Sequence, residues 1–167
     1  MKIFVHSAGF LTSVQDLGRT GYLQSGISSG GALDSHAMRV ANALVGNEGA
    51  AAGLEATLGN LRLRFDDQRV VAWCGGAFAV RIANENLPPG HAGLIAKDEE
   101  LVMNAPKAGS RAWLAISGGL AVSPTLGSRS RFAREFRWLR GAGPARWRCP
   151  PIRRKIGLTA SGCGNVR

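Results

Sequence analysis

An amide, a carboxylate and a guanidinium crowd one short stretch, TSVQDLGRTGY, as Gln15, Asp16 and Arg19. Arg19 brings N–H donors in a rigid fork, which suits a carboxylate or a urea-like carbonyl. Gln15 offers a donor and an acceptor, the complement of an amide. Asp16 has two open roles: it receives an N–H from an amide substrate, or it pairs with Arg19 and fixes the turn. Gly18 and Gly21 let backbone come close to a ligand. The chemistry on offer is hydrogen-bonded recognition of a carboxylate, a urea-like carbonyl or an amide.

A second group follows in GISSGGALD. Ser28, Ser29, Gly30 and Gly31 are small residues ahead of a helix start, where backbone N–H groups can hold an anion. Asp34, placed as the helix N-cap, competes for the same donors. No GK[ST] follows, so this is not a nucleotide-binding P-loop. Asn42 and Asn47 on the helix, and Glu55 in an otherwise apolar strand, read as structural polar anchors. His6, His36 and His91 have no metal-ligand spacing and read as surface or loop residues. Cys74, Cys149 and Cys163 are odd in number and widely spaced, which suits a reducing compartment; Cys74 reads as a small buried hydrophobe.

The elements that must position these groups follow from periodicity. Residues 2–5 and 10–14 read as short strands. A helix is expected over 34–46, with Ala37, Ala41, Leu44 and Val45 on its apolar face and Gly46-Asn47 as its stop. From Leu54 the period becomes two. Leu54, Ala56 and Leu58 share one face; Leu61, Leu63 and Phe65 share another. Gly59-Asn60 between these runs predicts a tight hairpin. Further strands are expected at 69–74, 78–82, 92–96, 100–104 and 111–117, a spacing of about ten residues that fits an all-β barrel or sandwich. The fold class is therefore mainly β, with one main helix that can plug an open end.

The chain has 167 residues, 45% of them apolar, enough for a core, and no run long enough for a membrane helix. No signal peptide is evident. The net charge of +10 is unevenly placed. Residues 1–130 hold 11 Lys and Arg against 10 Asp and Glu; residues 131–167 hold 10 against Glu135 alone. The basic character belongs to the C-terminal segment. Its low apolar content and high charge predict disorder, with Phe132, Phe136 and Leu139 at helical spacing as the one piece able to order.

Taken in sequence, GFLTSVQDLGRTGY, GISSGGALD, MRVANALVGN, LEATL, AISGGLAV and LGSRS resemble the family of allophanate hydrolase subunit 2, also called the carboxyltransferase A/B-subdomain family. The resemblance rests on Gly9, Thr12, Gln15, Asp16, Gly18, Arg19, Gly21, Gly26, Ser28, Gly31, Asp34, Arg39, Asn42, Gly46, Asn47, Glu55 and Leu58, and covers residues 1–130. The family includes the 5-oxoprolinase C-subunit, the KipA proteins and the carboxyltransferase region of urea carboxylase. It implies a cyclophilin-like β-barrel, here partial, and a subunit-1 partner with C and D subdomains. It also implies a small amide or urea substrate. Biotin on a partner domain and ATP on a partner subunit are implied as cofactors, with none bound by this chain alone.

After Ser130 the family pattern continues with Thr and a Gly-rich barrel segment, whereas this chain turns to Arg, Trp, Pro and Cys. Such an abrupt change is what a shifted reading frame produces in a GC-rich gene. Residues 131–167 are accordingly read as a basic, disordered tail outside the family fold, and the chain as a truncated member, inactive alone. The leading expectation is a cytoplasmic subunit of a biotin-dependent carboxyltransferase or an ATP-dependent 5-oxoprolinase. One alternative is a KipA-type regulatory binding protein. Another is a nucleic-acid or membrane-surface binder driven by the tail; with a near-neutral body, neither nucleic acid nor membrane is expected as a partner.

Overall fold

The computed structural model describes residues 2–131 and 145–148. Among them run strands β1 (Lys2–Ala8), β2 (Leu11–Gln15), β3 (Gly53–Thr57), β4 (Leu61–Phe65), β5 (Arg69–Gly75), β6 (Val80–Ile82), β7 (Glu85–Asn86), β8 (Ala92–Ile95), β9 (Glu100–Met103), β10 (Arg111–Ile116) and β11 (Ala145–Arg148). One helix, α1 (Ser35–Leu44), and a short 3-10 turn at Leu23–Ser25 complete the set. All strand pairs are antiparallel. They form a first sheet in the order β11-β1-β4-β9-β6-β7 and a second in the order β2-β3-β10-β5-β8. The fold is mainly β with one helix, as expected. Among the described residues neither sheet closes on itself, so no closed barrel is seen.

Alternation explains the core. Ile3, Leu61, Leu63, Phe65, Leu101 and Met103 of the first sheet meet Val14, Leu54, Ala56, Val71, Trp73, Leu114 and Ile116 of the second in one apolar cluster. Trp73 sits edge-on to Phe78 at 6.4 Å between ring centroids. Its Nε1–H donates to the Leu87 carbonyl at 2.8 Å, so the buried indole keeps a partner.

The helix does not plug an open end; it lies on the outer face of the second sheet. Ala37, Met38, Ala41 and Val45 pack on Ala72, Trp113 and Ala115. Ala72 of β5 and Ala115 of β10 are small outward residues beside Trp113, which lets α1 come close. Asp34 caps it as expected, accepting the Ala37 N–H at 2.9 Å. Leu44, expected on the apolar face, is instead exposed, and Met38 takes the buried place.

The expected hairpin at Gly59-Asn60 is a correction. β3 pairs with β2 and β10, and β4 pairs with β1 and β9. The turn is a corner that carries the chain from one sheet to the other. Leu58, Gly59 and Asn60 all have positive φ, and Leu58, expected on one face with Leu54 and Ala56, is exposed on the corner. Alternation on both sides of a two-residue turn looks the same for a hairpin and for such a corner. The buried faces themselves are as expected: Leu54, Ala56, Leu61, Leu63 and Phe65 are all fully buried.

Asn42 lies on α1, and Asn47, expected on the helix, lies just past its end. Asn42 donates to the Ala51 carbonyl at 2.9 Å; Asn47 donates to the Ile116 carbonyl at 2.9 Å and accepts the Gly118 N–H at 2.7 Å. In the basic segment, residues 145–148 pair with β1. The expectations of disorder and of a helical turn through Phe132 and Leu139 lie outside the described residues. Among the described residues no helix is long and apolar enough to cross a membrane.

Candidate functional site

Strand register assembles the site. On the second sheet Ser13 stands opposite Glu55, Glu55 opposite Trp113, and Trp113 opposite Cys74. These residues alternate with the core-facing Val14, Leu54, Leu114 and Trp73, so they share the outer face. The loop of residues 16–34 and α1 roof this face and leave two cavities. The smaller, about 200 Å³, is lined by Gln15, Arg19, Gly30, Gly31, Ser130 and Arg131 among others. The larger, about 500 Å³, is walled by His36, Val40, Cys74 and Trp113. Leu33, Glu55 and Arg111 line both.

The roof is fastened by Asp16. Its carboxylate accepts from Gly18 N–H at 2.7 Å, from the Ser128 and Ser130 hydroxyls at 2.7 Å each, and from the Arg129 N–H. Burial works against its charge, but the Ser130, Ser128, Arg129 and Gly18 hydrogen bonds outweigh this and hold the carboxyl below the usual aspartate value. Arg19 is not the partner of Asp16 among the ion pairs of the described residues. It is buried and donates to the Ser130 carbonyl at 2.9 Å and the Ser28 carbonyl at 3.5 Å. Both side chains thus bind the opening stretch to residues 128–130, more than a hundred positions away.

The two glycine-bearing turns touch. A Cβ at Gly18 would stand 2.7 Å from the Ser29 carbonyl oxygen, and one at Gly31 would stand 2.9 Å from the Gly18 nitrogen. Arg19 N–H donates to the Ser29 carbonyl at 2.7 Å. Ala32 N–H goes to the Asp16 carbonyl at 2.9 Å, and Leu33 N–H to Glu55 Oε2 at 2.7 Å. Two of the donors ahead of the helix are therefore held by the chain's own acceptors, and Ala37 N–H by Asp34.

Gln15 lines the smaller cavity. Its Nε2 donates to Ser13 Oγ at 2.9 Å, while its buried Oε1 has no partner. Glu55 accepts from Arg111 Nη1 and lines both cavities. Cys74 is only half-buried and lines the larger cavity, contrary to expectation. Burial and the nearby Asp34 charge push its thiol up against a backbone hydrogen bond from Gly90, so it is a poor nucleophile near neutral pH.

Sequence reasoning missed Arg111, Trp113, Ser128 and Ser130. RAWLAI alternates, so Arg111, Trp113 and Ala115 were readable as one face. Their placement opposite Glu55 was not readable, because it depends on pairing across 56 positions.

The roofed outer sheet face thus gathers an amide, guanidinium groups and a carboxylate around two adjoining cavities. Comparison with known proteins specifies the class. A family model described as carboxyltransferase domain, subdomain A and B, matches residues 25–142. The chain is 42% identical over 123 residues to the 5-oxoprolinase C-subunit of Escherichia coli (strain K12), covering 74% of this chain and 40% of that protein. It is 35% identical over 130 residues to the urea amidolyase of Lachancea kluyveri, covering 77% of this chain and 7% of that protein. The crystal structure of Kluyveromyces lactis urea carboxylase superposes with a TM-score of 0.77 at 36% identity, over 79% of this chain and 12% of that one. The chain belongs to the carboxyltransferase A/B-subdomain family. The matched stretch covers 40% or less of each of these relatives.

Proposed function

We propose that this chain supplies the A/B portion of a multi-part enzyme acting on a small amide or urea: a biotin-dependent carboxyltransferase or an ATP-dependent 5-oxoprolinase. The reading rests chiefly on one observation, a cavity of about 200 Å³ lined by Gln15, Arg19 and Arg111, at which the buried Gln15 Oε1 has no hydrogen-bond partner. An acceptor there fits an amide or ureido N–H, and guanidinium donors fit its carbonyl. Asp16 acts through Ser128 and Ser130 to hold the cavity in shape; it is a positioning residue. Biotin, when carried by a partner domain, supplies the carboxyl group, and ATP is consumed by a partner subunit. The partner carries the C and D subdomains.

The test is co-purification of the 167-residue chain with its subunit-1 partner, followed by assays of 5-oxoproline opening and of carboxyl transfer to urea. One of the two activities is expected, with Gln15→Leu lowering it by ~10-fold or more through loss of a buried hydrogen bond to substrate. Capture of a kinase inhibitor, with neither activity, would point to a KipA-type regulator and overturn the enzyme reading.

A further inference from the structure

Arg111 stands where the two cavities meet, and its environment is asymmetric. On one side Glu55, 5% exposed, receives its Nη1. The second Glu55 oxygen is held by Leu33 N–H at 2.7 Å, so the carboxylate is fixed from two directions. The remaining guanidinium donors have no partner among the described residues. The Arg111 side chain is 38% exposed, toward the cavities it lines. A clamped fork with open donors is a pre-organised carboxylate receptor. The smaller cavity is lined by Arg111 and Glu55 together with Gln15.

We propose that Arg111, positioned by Glu55, reads a carboxylate on the ligand, so that the site takes a carboxylate-bearing amide in preference to a neutral amide or urea. This rests on the small-amide reading above and adds a specificity residue to it. The ligand lies with its N–H on Gln15 Oε1 and its carboxylate on the Arg111 fork. Glu55 touches no ligand in this arrangement. It holds Arg111 in register with the cavity and ties the roof at Leu33 to the same point.

The test uses the full 167-residue chain and three probes, 5-oxoproline, 2-pyrrolidinone and acetate, with dissociation constants from ligand-observed NMR. The first two share a lactam, and only 5-oxoproline adds a carboxylate; acetate has the carboxylate alone. 5-Oxoproline is expected to bind ~10-fold or more tightly than 2-pyrrolidinone. Arg111→Gln should remove most of that preference, and Arg111→Lys, which keeps the cation beside Glu55 but not the fork, should remove part of it. Glu55→Gln should lower the preference more than it lowers 2-pyrrolidinone binding, a split that a purely structural role would not produce. If Glu55→Gln does not fold, the Arg111→Lys result carries the test. Equal affinity for the two lactams, or a preference that survives Arg111→Gln, overturns the proposal. Acetate binding that needs Arg111, with no gain from the lactam, supports Arg111 but counts against the amide reading. Failure of all three probes to bind overturns both.

Discussion

Removing the charge of Asp16 while keeping its shape separates two roles that its position leaves entangled. Four donors converge on this buried carboxylate. Asp16→Asn turns half of that acceptor into a donor facing donors. The expected loss is about 2–4 kcal/mol in chemical unfolding near neutral pH. The pH dependence has a definite sign. The folded carboxyl titrates below the ordinary aspartate value of 3.8. Its contribution is therefore complete above the unfolded value and is lost as pH falls through the folded one. Asp16→Asn should flatten the acid limb of the stability curve below about pH 4. An unchanged stability near neutrality, with an unchanged acid limb, would refute the stapling role. For Arg19, a lysine ammonium cannot reach both Ser28 and Ser130 carbonyls as the fork does. Arg19→Lys is expected to lower stability by ~1–3 kcal/mol. Loss of ligand binding at an unchanged melting temperature would instead make Arg19 a ligand contact.

At the scale of elements, the corner at residues 58–60 decides which sheet each strand joins. Gly59 has φ of 66°, and a Cβ there would lie 2.1 Å from the Asn104 carbonyl oxygen. Gly21 has φ of 87°, with nothing within 4 Å of a built Cβ. Gly21→Ala carries only left-handed strain, about 1 kcal/mol, whereas Gly59→Ala adds a backbone clash and should cost ~3 kcal/mol or more. Similar unfolding free energies for the two variants would contradict the tight packing of the corner. The sequence made the strand faces legible here, because Leu61, Leu63 and Phe65 alternate with Arg62 and Arg64. It did not distinguish a hairpin from a corner, since both need positive φ in a short turn. Nor did it show where α1 goes: an apolar stripe says that a surface is needed, not which one. The small residues Ala72 and Ala115 answer that only once β5 and β10 are side by side.

On the scale of the whole molecule, the site is a product of chain connectivity. Gln15, Asp16, Arg19 and the glycine turns were readable as a chemical cluster because they are close in sequence. Their attachment to Ser128–Ser130 and their meeting with Glu55 and Arg111 arise from pairings between distant strands, which no local pattern encodes. The outcome is that one face of one sheet carries both cavities. The outer face of the first sheet carries a polar patch, with Glu100 hydrogen-bonded to His6 at 3.0 Å and ion-paired with Arg62 at 2.8 Å.

That contrast sets the decisive measurement, a titration of the isotope-labelled chain with 5-oxoproline and then with urea, followed by amide and side-chain NMR. Shifts are expected at the Gln15 side-chain amide, the Leu33 amide and the Trp113 indole N–H, all on the roofed face of the second sheet. Resonances of His6, Arg62 and Glu100 should stay in place. Shifts that cluster on His6, Arg62 and Glu100 and spare Gln15 and Leu33 would contradict the assignment of the site.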